Sequence, residues 1–267
     1  MVKAVPTWLR AATALVVLLT VLVLLAPLAV VVGVSFSQSE FIAFPPQGLS
    51  LRWYQQVWQS DTYLASAWTS LRIAVLVTLA ATLVGGAAAV ALHRRKLPYS
   101  GALATAFLSP LVLPTIIFAI GMLMAWSQVF GQVTAFTLWL GHTVVCLPYV
   151  IRTTLAVLAE SNPQLEEAAR TMGANRAQRL WHVVVPQCRA GLAAGAFFAF
   201  NISFDEAVLS LFLRKPDLTT LPVQIYGQLE FSPDPSVAAV SAIMIAITVL
   251  LMLVIDRLLG LNRFARS

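Results

Sequence analysis

The stretch at residues 11–38, AATALVVLLTVLVLLAPLAVVVGVSFSQ, decides the class of fold, because it contains no charged side chain over 28 residues. A helix needs about 20 apolar residues, at about 1.5 Å each, to cross the hydrocarbon core of a bilayer. The whole chain is 59% hydrophobic and 10% charged, whereas roughly a quarter of the residues are charged in soluble domains. The chain is therefore predicted to be an all-α integral membrane protein.

Further uncharged runs allow the spans to be counted. The run 97–151 has no formal charge over 55 residues, and Gly131-Gln132 divides it into two spans. A secretory signal at the start is disfavoured, because the apolar core of a signal has only about 7–15 residues. We predict a single domain, 1–267, with a polar loop at 160–187 between the fourth and fifth spans. The six spans lie at about 11–36, 67–92, 101–126, 133–157, 189–213 and 235–258.

Prolines predict irregularities inside two of the spans. Ser109-Pro110 and Leu113-Pro114 predict a kink or an unwound turn in the third span, and Pro148 predicts the same in the fourth. A structural bend is the simpler interpretation, and a flexible wall of a transport path is the alternative.

The positions of the basic residues predict the orientation in the membrane. Lys and Arg collect in cytoplasmic loops, and four segments that share one side of a six-span chain hold 13 of the 17 basic residues. Both termini are then cytoplasmic, and the net charge of +6 needs no nucleic-acid partner. The 13 residues are Lys3, Arg10, Arg94, Arg95, Lys96, Arg152, Arg170, Arg176, Arg179, Arg189, Arg257, Arg263 and Arg266.

The stretch 162–173, NPQLEEAARTMG, predicts a short polar helix within the cytoplasmic loop. Asn162 is a suitable N-cap, Pro163 suits the first position, and Gly173 ends the helix in the left-handed conformation. Glu166 and Arg170 are spaced for an ion pair one helical turn apart. A second helix is expected from Asn175 to Pro186. An apolar stripe of small and large residues, which suits docking of another surface, comprises Leu165, Ala168, Ala169 and Met172.

Residues 167–186 follow an ordered pattern: Glu167-Ala168-Ala169, Gly173, the nine residues 174–182, and Val183-Val184-Val185-Pro186. This pattern resembles the signature of the permease subunits of binding-protein-dependent ABC importers. The resemblance implies the type I importer permease fold, in which this loop is a coupling helix that inserts into a groove of the ATPase subunit. Glu167, Ala168, Ala169 and Gly173 would transmit ATP-driven closure, and Leu165, Arg170 and Met172 on the same helix are assigned with them.

Two further stretches narrow the resemblance: Ser203-Phe204-Asp205-Glu206-Ala207-Val208-Leu209-Ser210 and Leu221-Pro222-Val223-Gln224-Ile225-Tyr226. They look like the spermidine/putrescine-type branch of these permeases, in which an acidic pair occupies the same place. The resemblance implies a polyamine or related small organic cation as substrate. The alternative is another solute, such as an amino acid derivative, an opine or an oxyanion.

The carboxylates within the predicted fifth span favour a cation as the substrate, independently of the resemblance. Asp or Glu at a span centre costs about 2.5–3.5 kcal/mol on insertion scales, so a pair is retained only where water, a partner or a substrate offsets the cost. At 100° per residue Asn201 and Asp205 share one helix face, whereas Ser203, Glu206 and Ser210 share another. The pattern leaves open which carboxylate lines the path, and whether either only reaches outer water. Aromatic side chains that could add cation-π contacts are Phe200, Phe204 and Tyr226.

The remaining candidate groups suggest no chemistry within this chain. His142 has no metal ligand at suitable spacing and is interpreted as a buried, hydrogen-bonded side chain. Cys146 and Cys188 should lie at different depths, so no disulfide is expected. There is no P-loop or hydrolase motif. No catalytic, cofactor or metal site is therefore expected in the chain.

The resemblance also implies the partners: ATPase subunits that hold the ATP and Mg²⁺, a second permease subunit, and an extracytoplasmic solute-binding protein. The resemblance favours a different chain as the second permease subunit, and a copy of this chain is the alternative. Membrane lipid surrounds the spans, and the location is the bacterial inner membrane. Rival functions are an intramembrane enzyme that uses Asp205 and Glu206 as an acid/base pair, and a carrier that works without an ATPase.

Overall fold

The computed structural model describes residues 6–94, 99–215 and 218–259, and the regular elements in these ranges are helices. An isolated antiparallel bridge joins Lys215 and Leu218. Five basic residues that support the predicted orientation lie outside the described residues: Lys3, Arg95, Lys96, Arg263 and Arg266.

Most of the helices follow one another with short connections, whereas residues 36–51 separate the first two, and irregular turns adjoin two of the helices. A 3₁₀ turn, Ser109–Leu111, follows α4, and a π-helical turn, Leu180–Val184, leads into α9. In chain order the helices are α1 (Thr7–Ser35), α2 (Arg52–Gln59), α3 (Asp61–His93), α4 (Ser100–Leu108), α5 (Thr115–Phe130), α6 (Ala135–Ala159), α7 (Pro163–Thr171), α8 (Arg176–Arg179), α9 (Val185–Asp205), α10 (Val208–Leu213), α11 (Leu221–Phe231) and α12 (Ser236–Leu259).

Within the described ranges, five helical stretches are long and apolar enough to cross a membrane, and there are six if a bent pair of helices counts as one span. The bent pair, Gly101–Leu111 and Thr115–Phe130, turns by 103° at its break. The prediction of an all-helical membrane protein is confirmed. The five single stretches are Thr7–Ser35, Asp61–His93, Ala135–Ala159, Arg176–Asp205 and Ser236–Arg257.

Proline explains the bend in the third span. Pro110 lies in the 3₁₀ turn, and Pro114 stands before α5 with ψ of 128°, outside the helical region. The unwound turn predicted from these prolines is therefore present. Pro148, in contrast, lies inside the continuous helix α6, where no unwound turn forms. Gly131 ends α5 with φ of +81°, a conformation that glycine adopts without steric cost.

The structure differs from the predicted fifth span, 189–213, at both ends of that range. The second helix of the loop does not stop at Pro186, because the π-helical turn Leu180–Val184 leads without interruption into α9, which contains this residue in its first turn. The helix then breaks after Asp205, and Glu206 has ψ of 100°. Residues 208–213 form the separate helix α10.

The described chain divides into two compact units. One comprises the described residues up to Asp61 with Gly227–Ile247, and in it Tyr54 OH lies 2.7 Å from Ser35 Oγ. The other comprises Thr62–Tyr226 and the described residues from Thr248 onward. The second unit contains the residues of both candidate sites, around a core that includes Val77, Leu138, Cys146, Val150, Ala199 and Leu209.

Candidate functional site

Helix α7 forms at the predicted residues and through the predicted capping groups. Asn162 Oδ1 accepts a hydrogen bond from Gln164 N at 2.9 Å, and Pro163 occupies the first turn. Gly173 has φ of +86°, and its N–H donates to Arg170 O at 3.0 Å. Local chemistry therefore bounds this helix at both ends.

One face of α7 presents an uncovered apolar surface beside an acidic side chain. Leu165 is 52% exposed and Met172 is 83% exposed, and Ala168 and Glu167 are exposed between them. Ala169 belongs to the same predicted stripe but is buried, with 9% exposure, so it packs inward. The exposed side chains form a small surface that nothing in the described part of the chain covers.

Glu166 fixes α7 to two neighbouring segments. Its Oε1 atom accepts a hydrogen bond from Arg94 Nη2 at 2.8 Å, and Arg179 Nε lies 3.4 Å from the same oxygen. The contact between Arg179 and Glu166 is an ion pair only, because the Nε–H group of Arg179 makes no hydrogen bond within the described part of the chain. The predicted pair between Glu166 and Arg170 is wrong, because the carboxylate turns toward Arg94, which lies 72 residues away in sequence.

A basic cavity of about 720 Å³ lies next to these ion pairs. Four arginine and two glutamate side chains line it, so its walls carry a net positive charge. Its lining residues are Ala91, Arg94, Pro163, Glu166, Glu167, Arg170, Arg176 and Arg179.

The second candidate site is the break between α9 and α10. Glu206 Oε1 accepts a hydrogen bond from Leu209 N at 3.0 Å, so this carboxylate caps the first turn of α10. Asp205 is exposed at the last residue of α9 and has no hydrogen-bond or ion-pair partner among the described residues. The two neighbouring carboxylates therefore lie in different surroundings.

The other residues predicted for the substrate path are distributed between the surface and the interior. Asn201 Nδ2 donates to Phe197 O at 2.9 Å within α9. Phe204 is 5% exposed, and its ring stacks on that of Phe200 at 5.6 Å between centroids. Tyr226 is 51% exposed on α11 and makes no hydrogen bond to Asp205 or Glu206 within the described ranges.

His142 joins α6 to both sides of the break. Its side chain is 1% exposed; Nδ1 lies 3.0 Å from Ser203 Oγ, and Nε2 lies 3.1 Å from Ser210 Oγ. The prediction of a buried, hydrogen-bonded histidine is confirmed. Ser203 and Ser210 were expected on one face of a continuous helix, and they meet instead through the histidine across the broken one.

The close contact between α6 and α9 was not predicted from the sequence. Gly191 and Gly195 form a small-xxx-small pattern, which is a known signal for close packing of membrane helices. A Cβ atom on Gly191 would lie 2.6 Å from Thr153 O, and one on Gly195 would lie 2.8 Å from Val150 Cα. The two helices on either side of the 160–187 loop are therefore packed backbone against backbone.

Comparison with known proteins identifies relatives over most of the chain. Residues 85–263 match the family model of the binding-protein-dependent transport system inner membrane component. The spermidine/putrescine transport system permease protein PotC of Escherichia coli (strain K12) is 30% identical over 241 residues, which are 89% of each chain. The putrescine transport system permease protein PotI of the same strain is 28% identical over 83% of this chain and 81% of its own.

A solved structure shows the same fold. A chain of the bacterial alginate ABC transporter, solved in complex with an alginate pentasaccharide-bound periplasmic protein, superposes with a TM-score of 0.72 at 15% identity. The superposition covers 94% of this chain and 93% of that one. The chain thus belongs to the family of binding-protein-dependent transport system inner membrane components, and it is a non-catalytic, multi-pass permease subunit of an ABC importer.

Proposed function

We propose that this permease imports polyamines such as spermidine and putrescine, or a related small organic cation. The observation that carries the proposal is the exposed carboxylate of Asp205 at the last residue of α9, where a membrane-crossing helical stretch breaks. A charged group is costly in a membrane and persists where water or a counter-charge offsets its desolvation. The names of the two relatives at about 30% identity support the same class of substrate.

Asp205 and Glu206 have different roles in this proposal. Asp205 binds an ammonium group of the substrate, because no group of the described chain neutralises it. Glu206 holds the start of α10 through Leu209 N and presents its remaining oxygen to the path. Asn201, one turn before Asp205 on the same face, offers its side-chain carbonyl oxygen as a further acceptor.

Of the other residues assigned to the substrate path, two are buried and one is exposed. Ser203 and Phe204 support the break from the packed interior, since both are nearly fully buried. Tyr226, which is half exposed, supplies an aromatic face on which an alkylammonium group can rest.

Helix α7 is proposed as the coupling helix that docks on an ATPase subunit. Leu165, Glu167, Ala168 and Met172 supply the exposed contact surface. Ala169 packs against the permease, Arg170 faces the basic cavity, and Gly173 sets the turn after the helix. The ion pair between Glu166 and Arg94 carries movement of α7 to the end of α3.

The proposed assembly follows from these roles. The chain is a single permease domain of the bacterial inner membrane, with α7 and both termini in the cytoplasm. Two ATPase subunits bind ATP and Mg²⁺, a second and different permease subunit completes the path, and an extracytoplasmic binding protein delivers the solute. When ATP brings the ATPases together, the coupling helices move inward and the spans open outward to receive the cation.

Uptake by the reconstituted complex tests the substrate. The complete transporter with its binding protein is placed in liposomes, and ATP-dependent uptake of labelled spermidine and putrescine is measured. Asp205→Asn should raise the KM for uptake at least tenfold, while Glu230→Gln, a change at an exposed carboxylate of α11, should leave it unchanged. Saturable uptake of an amino acid, an opine or an oxyanion with no polyamine uptake would refute the polyamine proposal.

Exchange of residues on α7 tests the coupling role separately. Glu167→Ala should reduce the number of substrate molecules moved per ATP, because its side chain lies on the exposed docking face. If the ratio of uptake to ATP hydrolysis stays at the wild-type value, the assignment of α7 is wrong.

A further inference from the structure

The break between α9 and α10 lacks the backbone hydrogen bonds that would fix the two helices to each other. Glu206 has an extended ψ of 100°. The helical backbone hydrogen bonds of α10 begin after it, with Leu211 N donating to Ala207 O at 2.8 Å. Glu206 bonds to Leu209 N, within the same side of the break. The orientation of α10 relative to α9 must therefore be set by side chains, which include the buried Leu209 and Leu213 of α10 and polar groups of neighbouring helices.

His142 is a polar side chain that contacts a residue on each side of the break. Ser203, two residues before Asp205, and Ser210, four residues after Glu206, bond to opposite nitrogens of its ring at 3.0 and 3.1 Å. A neutral imidazole has one donor and one acceptor nitrogen, and a serine hydroxyl can fill either role, so both bonds form in either tautomer. All three side chains are at most 4% exposed, so water does not replace these bonds.

We propose that His142 is a positioning residue that holds α9 and α10 together across the break and thereby sets the affinity of the path for its substrate. The inference rests on the proposed role of Asp205 and Glu206, which lie between the two serines. The histidine does not touch the substrate; it determines where the two carboxylates point.

The same bridge links the carboxylates to the proposed coupling helix. His142 lies on α6, which ends just before α7, and α6 contacts the backbone of α9 at Gly191 and Gly195. Helices α6 and α9 therefore move as one body. The hydrogen bond from His142 to Ser210 connects α10 to these two helices. A movement of α7 is therefore transmitted to the helices on both sides of Asp205 and Glu206.

The substitution His142→Leu tests the proposal, because leucine keeps most of the buried volume and removes both hydrogen bonds. In the reconstituted complex we expect the KM for spermidine or putrescine uptake to rise about tenfold, which corresponds to about 1.4 kcal/mol. His142→Gln, whose amide can both donate and accept, should recover part of the loss. A purely structural histidine would lower the thermal midpoint of the complex without changing KM.

The two serines provide a sharper test of bridging. Loss of either hydrogen bond of His142 disconnects α9 from α10. Ser203→Ala, Ser210→Ala and the double variant should therefore raise KM by the same factor. Independent packing roles would instead give factors that multiply in the double variant. Multiplying factors would overturn the proposal.

Hydrogen exchange separates this inference from the proposed function. Peptides that cover residues 206–213 should exchange faster in His142→Leu, while those that cover α7 should not. Unchanged exchange at 206–213 overturns the inference, and so does an unchanged KM in His142→Leu when Asp205→Asn raises it. If both variants leave KM unchanged, the pathway assignment of Asp205 and the positioning role of His142 both fail.

Discussion

The contact between α6 and α9 gives the most quantitative prediction, through Gly191→Ala. The added Cβ would lie 2.6 Å from Thr153 O and 2.8 Å from Thr154 Cα, whereas ordinary contact begins at 3.4 Å. Both neighbours are backbone atoms of a continuous helix, so no side-chain rotation can relieve the clash. The helices must separate by up to about 0.8 Å at this point. Overpacking of this kind costs about 1–3 kcal/mol.

Gly121→Ala is the matched control. Gly121 lies inside α5, and an added Cβ there would meet no heavy atom within 4 Å. Alanine is favoured over glycine in a helix by about 0.5–1 kcal/mol at both positions. This gain cancels in the comparison, so the difference between the two variants isolates the steric cost.

The assay measures the free energy of unfolding of the purified permease complex by titration with sodium dodecyl sulfate in mixed micelles. Gly191→Ala should be less stable than Gly121→Ala by about 1–3 kcal/mol, and its uptake should fall with it. Equal stability of the two variants would refute the argument, because it would mean that α6 and α9 are not packed backbone against backbone.

Three further predictions concern α7. Asn162→Ala removes the bond to Gln164 N and should destabilise α7 by about 1 kcal/mol, measured as faster hydrogen exchange of that segment; unchanged exchange would contradict the capping role. Glu166→Gln should lower the ratio of uptake to ATP hydrolysis, because it weakens the ion pair to Arg94, whereas Glu160→Gln at an exposed position should not; equal ratios would argue against the link to α3. Gly173→Ala should cost about 1 kcal/mol from its φ of +86° alone, since no neighbour lies within 4 Å, and Gly173→Asn should cost less in the same exchange measurement; a larger loss for Asn would count against the left-handed turn.

Features that depend on neighbouring residues were predictable from the sequence. The cap at Asn162, the turn at Gly173 and the interruption near Pro110 and Pro114 each depend on groups within a few residues of one another. The break after Asp205 also has a local cause, because Glu206 caps Leu209 N three residues later. This break was missed because the apolar run on both sides favoured a single span.

Partners distant in the chain could not be predicted in this way. Glu166 has Arg170 at ideal helical spacing, yet its carboxylate binds Arg94, which packing brings closer. Likewise, His142 bonds to serines 61 and 68 residues away. A capping or periodicity pattern contains no information about which of several polar side chains will meet after helices pack.

The sequence by itself determined that the chain is a helical membrane protein with a capped polar helix in its longest basic loop. It did so because apolar length and capping chemistry act over one or two helical turns. Only the tertiary structure decided that α6 and α9 pack through Gly191 and Gly195, and that His142 spans the break beside Asp205. These features depend on the distance between helix axes, which is set by all the contacts of the folded chain together.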